Sequence, residues 1–294
     1  MSVVTLKNGE LTAAIDAMGA QLTSLALGGK EYLWQADPAV WGKHAPILFP
    51  IVGSIRDGKA ESAQGEVTLG RHGLARDYEH AVVAQSEGSV TFELTDSEET
   101  RSAYPYAFKL NMTYELTGPA SLTQTFRVEN TGDVDLPFSV GGHPAFNVPA
   151  PGGEGEAFDD YELAFTKPWS CVAPKICDGG LLTYRTAEMV IDRSDVLPIT
   201  HELFAADAVM LSEVPDDTLT LRSRVFGHGV KIDFPGFKYI GIWSAEGDAP
   251  FVALEPWTGH ATLDTEDNVF EHKRNITILA PGEVDERSFT VTLL

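Results

Sequence analysis

The chain has 294 residues, enough for one large all-β domain or two ordinary ones, and 43% of them are hydrophobic, ample for a core. Lysines and arginines number 21 against 43 aspartates and glutamates, a net charge of −22 that repels phosphate backbones and anionic headgroups and argues against nucleic-acid or membrane partners. Cys171 and Cys177 are too few for a disulfide scaffold and are expected as ordinary thiols.

Along the chain, the first ten residues lack a basic stretch followed by an apolar core, and no apolar run approaches the ~20 residues of a membrane helix, so the cytoplasm is the expected location. Val90, Phe92 and Leu94 alternate with polar neighbours. So do Phe108, Leu110, Met112, Tyr114 and Leu116, then Leu122, Phe126 and Val128, and finally Phe289, Val291 and Leu293. Period-two alternation is the mark of half-buried antiparallel strands. Turn signals separate them at residues 7–9, 87–88, 117–119, 130–133 and 281–282. Helical periodicity is confined to one or two turns around Glu99–Tyr104 and His201–Ala206. Residues 149–156, rich in proline, glycine and glutamate, read as a flexible surface loop. No linker, charge block or internal repeat divides the chain, so residues 1–294 are expected to form a single large antiparallel β-sandwich or a closed barrel.

The most informative stretch is Gly141-Gly142-His143-Pro144-Ala145-Phe146-Asn147, taken with Leu254-Glu255-Pro256-Trp257. Two glycines and a proline leave His143 in a turn that positions it rather than merely packing it. Glu255 ends an apolar strand, where burying a carboxylate is costly unless it is paired or working. Pro256 biases it to extended backbone and is expected to leave it at the rim of the sheet. An imidazole and a carboxylate can deliver and remove protons in one reaction. Trp257 offers an apolar face and a polar N–H, suited to a sugar ring. His72, followed by Gly73 and flanked by arginines, is expected near a strand end facing a cleft; His44 reads as structural. Other site classes fail: there is no zinc-protease histidine pair, no Gly-x-Ser-x-Gly elbow, no dinucleotide fingerprint and no zinc-like cysteine spacing.

Four segments, Pro46–Gly53, His72–Arg76, Gly141–Asn147 and Leu254–Trp257, resemble the aldose 1-epimerases (mutarotases), especially their compact bacterial branch. The resemblance implies an all-β, large antiparallel sandwich (supersandwich) and ring opening and closure of an aldohexose without metal or organic cofactor. It implies Glu255 as the base at the anomeric hydroxyl, His143 as the acid at the ring oxygen and His72 as a second imidazole. Asp207 matches an aspartate that binds sugar hydroxyls. Where many members carry an arginine directly after the glycine at position 53, this chain has Ser54; in an extended segment Arg56 shares its face and is expected to substitute. Arg76 and Trp257 complete the expected sugar contacts, and the protein is expected as a monomer or homodimer. Three rivals stand beside this reading. A hexose-6-phosphate 1-epimerase would draw on Arg56, Lys59, Arg71 and Arg76. A carbohydrate-binding or sensor protein would not need both Glu255 and His143. A glycoside hydrolase would use Glu255 with Asp207.

Overall fold

The structure, a computed structural model, describes residues 2–294. It is built from antiparallel sheets with one short α-helix, Glu98–Ala103, whose Ser97 cap and Thr100 exchange hydrogen bonds in a capping box. The largest sheet has nine strands, in the order Leu181–Pro198, Tyr161–Cys177, Thr218–Ser223, Gly229–Asp233, Val284–Leu293, Ser121–Asn130, Phe108–Leu116, Ser89–Thr95 and Ala81–Gln85. The alternation read from sequence dictates its inner face: Leu110 pairs with Val128, Met112 with Phe126 and Leu116 with Leu122, all buried. A large, well-packed antiparallel β-sandwich is the fold. Among the described residues no helix is long and apolar enough to cross a membrane. The second expected helical site, His201–Phe204, is a single 3₁₀ turn.

A six-stranded sheet carries the chemistry. Its main path runs Val209–Ser212, Tyr239–Trp243, Phe251–Trp257, Gly141–Gly142 and Ile47–Leu48, with Ala145–Asn147 also paired to Phe251–Trp257. The strand Phe251–Trp257 is buried along its whole length because both faces are covered. Val252 and Leu254 point into the main core with Ile240, Ile242 and Phe146. Residues 253, 255 and 257 point the other way, Ala253 into an apolar cluster with Trp34 and Ala145, and Glu255 and Trp257 toward a cavity.

Residues 149–156 form a loop, but it is tethered rather than free. Glu156 accepts from Ser223 Oγ and Tyr161 Oη and meets His228 Nε2 at 2.8 Å. A side chain at Gly153 would collide with this cluster. Cys171 and Cys177 are both free thiols, Cys171 buried under the hairpin formed by Tyr161–Cys177 and Leu181–Pro198.

Candidate active site

Two segments far apart in the chain pair antiparallel, Gly141 opposite Trp257 and Ala145 opposite Ala253. Carrying that register between them sets His143 opposite Glu255, on the same face of the sheet. Their side chains meet, with His143 Nε2 3.2 Å from Glu255 Oε1. The local sequence explains the interruption that frees the histidine. The Leu254 N–H donates to Pro144 O and the Thr258 N–H to Val140 O. Pro256, between them on the same edge, has no N–H to give, and there the partner strand breaks at His143.

The glycines on both sides serve close approach. A Cβ at Gly141 would lie 2.8 Å from Trp257 Cδ1, and one at Gly241, opposite Glu255 on the other neighbouring strand, would lie 2.3 Å from the far edge of the same indole. The Trp257 ring therefore lies flat across two bare backbones and floors the cavity. Gly142 faces inward instead, where a Cβ would meet the Phe289 ring at 2.7 Å.

Around this floor the cavity encloses about 220 Å³. Trp41 stacks on His143 with ring centroids 5.0 Å apart, and Trp243 and His72 meet it edge-on. Residues 176, 180 and 182 of the long hairpin close one side. This closure is fixed by hydrogen bonds from Leu182 N to Thr262 O and from Asp264 N to Leu182 O. Lys43, Arg71, Arg76 and Asp207 complete the polar lining.

Burial sets the protonation of the two central groups. It pushes Glu255 well above the usual carboxylate range, and the Asp207 charge adds to the rise. The Trp257 N–H and Arg71 oppose it, although the indole is not aligned for a hydrogen bond. Burial pushes His143 down to about 3, with the charges of Arg76, Lys43 and Arg71 in the same direction. His72 also falls, from burial and from the neighbouring His143 and cations. Its Nδ1 accepts from the Gly53 N–H at 3.1 Å, so the ring proton sits on Nε2. Glu255 Oε2, His143 Nδ1 and Trp257 Nε1, all on cavity-lining residues, are buried without side-chain hydrogen-bond partners.

The aldose 1-epimerase family profile matches residues 2–277. The chain belongs to the aldose 1-epimerase family. It is 38% identical to the plasmid-encoded protein LacX of Lactococcus lactis subsp. lactis, over 99% of each chain. A galactose mutarotase related enzyme from Lactobacillus acidophilus is 31% identical, with a TM-score of 0.94 over 100% of this chain and 97% of that one. A galactose mutarotase-like protein from Lactobacillus casei is also 31% identical, with a TM-score of 0.88 over 100% of both. Family membership supports an epimerase role in general terms.

Of the residues singled out from sequence, His72, Arg76, His143, Asp207, Glu255 and Trp257 line this one cavity of the family member. Glu255 does not stand at the rim: pairing continues past it to Trp257, and it is buried in mid-sheet. Arg56 is a correction. Its Nη2 donates to the carbonyls of Leu263, Asp264 and Glu266 at 3.2–3.4 Å, outside the cavity. Ile55, between Ser54 and Arg56, is extended as expected, but the chain turns at Gly53, φ +70°, and neither Ser54 nor Arg56 lines the cavity. Lys59 likewise lies outside, pairing with Glu66 on a small exposed hairpin. Asp207 bonds local backbone and an arginine: Oδ1 accepts the Ala208 N–H, and Oδ2 meets Arg71 Nη1 at 3.1 Å. His44 bonds Trp34 O and is not part of the lining.

Sequence reasoning missed Trp41, Lys43, Met210, Gly241 and Trp243. The alternation of Tyr239, Gly241 and Trp243 on one strand face was a usable signal for the last two. Trp41 and Lys43 lie in an irregular loop whose spacing carries none.

Proposed function

We propose that the chain is an aldose 1-epimerase that interconverts the α and β anomers of an aldohexose by acid–base opening and closing of the ring. The observation that carries this is the buried contact of Glu255 with His143 above the Trp257 ring. Binding alone gains nothing from such a pair, whereas a hemiacetal needs one proton removed and one supplied.

Glu255 takes the proton from the anomeric hydroxyl, and His143 gives one to the ring oxygen. The C1–C2 bond of the open aldehyde rotates, and closure returns both protons. Each turnover moves the pair between carboxylate with imidazolium and carboxylic acid with imidazole, two forms holding the same number of protons. Burial raises Glu255 and lowers His143, which favours carboxylic acid with imidazole in the free protein, so ring opening starts only after a proton has moved from Glu255 to His143. The direct 3.2 Å contact lets a proton pass between the two forms. His72, neutral and donating from Nε2, binds the ring oxygen or an adjacent hydroxyl. Asp207, Arg76 and the Trp257 face and N–H hold the remaining edge of the sugar.

The test is polarimetry of freshly dissolved α-aldohexoses with and without protein, corrected for spontaneous mutarotation. Acceleration is expected, and its absence with every aldose tried would overturn the proposal. A pH dependence follows from the shared proton. The acid limb of kcat/KM reflects a second proton entering the pair, and with His143 pushed to about 3 the plateau extends far below imidazole's ordinary 6.5. Activity is expected to persist to about pH 5 and to fall on the alkaline side as the pair loses its one proton. A half-loss near pH 6.5 would show instead that His143 titrates as a free imidazole.

A further inference from the structure

The imidazole of His143 lacks the second support that a working histidine ordinarily has. Such a ring is commonly oriented by a carboxylate or carbonyl on the nitrogen that does not react. Here Nε2 meets Glu255, while Nδ1 is buried with no side chain bonded to it, and among the described residues no second carboxylate pairs with the ring. Aromatic rings take that place. Trp41 stacks on one face, with centroids 5.0 Å apart and planes inclined by 25°, and Trp243 and His72 meet the ring edge-on at 5.6 and 5.7 Å. Trp41 lies in an irregular loop, yet it is well fixed. Its carbonyl accepts from Trp34 Nε1 at 2.8 Å, its N–H donates to Asp37 O, and its indole stacks on Phe251.

Resting on the epimerase reading above, we infer that Trp41 is a positioning residue for the reaction: its indole face sets the plane of the His143 ring and stabilises the imidazolium that donates to the sugar's ring oxygen. In the proposed mechanism His143 becomes positive before the sugar opens, as one proton passes from the Glu255 carboxyl to Nε2 and leaves a carboxylate behind. The surroundings oppose that cation, through burial and through the charges of Arg76, Lys43 and Arg71. A reaction routed through an unfavourable species gains from whatever stabilises that species selectively. The face of an indole is the negative part of its quadrupole, and it attracts a cation lying within about 6 Å of the ring centroid, most strongly where water is excluded. The stack covers the face of the imidazole and leaves Nε2, at its edge, to exchange the proton with Glu255. The charge then changes beneath the indole without either ring having to move. Trp41 also lines the cavity, so a direct contact with the sugar is the competing role, and it predicts a different kinetic pattern.

The experiment measures kcat and KM for anomer exchange by magnetisation-transfer NMR, corrected for the uncatalysed rate, with an aldohexose that the unmodified protein accelerates. Trp41→Leu is expected to lower kcat by about 3–30-fold, the size of one desolvated cation–π contact, and to change KM by less than about twofold. Trp41→Phe, which keeps a weaker aromatic face, is expected to recover much of that loss. In a His143→Asn background Trp41→Leu is expected to cost nothing further, because the indole acts through the imidazole. Fluorinated tryptophans placed at position 41 alone keep the packing and withdraw charge from the face. The kcat is therefore expected to fall stepwise with each added fluorine, a readout that does not depend on the folding of Trp41→Leu. A KM that rises with kcat unmoved, a kcat indifferent to fluorination, or a loss that persists undiminished in the His143→Asn background would each overturn the inference while leaving the epimerase reading intact. No exchange with any aldose in the unmodified protein would overturn both.

Discussion

Replacing Glu255 with glutamine is expected to reduce the catalysed rate of mutarotation by about 10²–10⁴-fold, with His143→Asn costing a similar factor. Glutamine keeps the shape of glutamate, asparagine is a smaller polar replacement for histidine, and neither can exchange a proton at physiological pH. The two groups touch at 3.2 Å, and in the proposed mechanism they exchange one proton and act as a unit. The double variant is therefore expected to be no slower than the slower single one, within a few-fold. Circular dichroism would verify folding, and corrected polarimetry would supply the rates. Losses that multiply in the double variant would mean that the residues work independently, and unchanged rates in either single variant would remove that residue from the chemistry.

The second large effect is on stability. Gly73 has φ +76°, and a Cβ there would sit 2.2 Å from the Phe49 carbonyl oxygen. Backbone cannot step aside as a flexible side chain can. The N–H groups of Leu74 and Ala75 also donate to Phe49 O, which pins the loop to that carbonyl. Gly73→Ala thus combines a left-handed penalty of about 1–2 kcal/mol with an overpacking cost of about 1–3 kcal/mol. A loss of about 2–5 kcal/mol in denaturant unfolding is expected, together with loss of activity as His72 moves off Gly53. Gly9→Ala is the control. It has φ +61° with open space around the new Cβ, so it bears the backbone penalty alone. Equal losses at both glycines would refute the steric account.

Much of this architecture was readable before any coordinates. Alternation at residues 108–116 and 122–128 reports directly on which side chains are buried, because a strand has a period of two. Gly141-Gly142-His143 and Glu255-Pro256-Trp257 announced themselves by residue types that are costly or unusual in a sheet interior. What alternation does not encode is which strand lies beside which. The opposition of 143 to 255 therefore required the register, and Gly241 and Trp243 became meaningful only once their strand was seen next to Glu255. Arg56 shows the limit of within-segment spacing. The rule relates residues two apart to each other, not to the cavity: Ile55 is extended, yet neither Ser54 nor Arg56 reaches the lining. Lys43 sits in a loop that reaches the cavity through tertiary packing, so nothing periodic could have flagged it.

Because His143 sits in a short break held between the ladder pairs 141–257 and 145–253, its place opposite Glu255 is indexed by counting residues rather than by the shape of any long loop. Insertions in the outer connections leave that count alone, which frees the rim to diversify toward different sugars. Adding or deleting one residue between 141 and 145 would swing the imidazole to the opposite side of the sheet, toward the packed aliphatic interior. The pairing thus acts as a ruler: the mouth of the pocket can be redrawn, but neither strand can slide by a single step and keep the contact of His143 with Glu255.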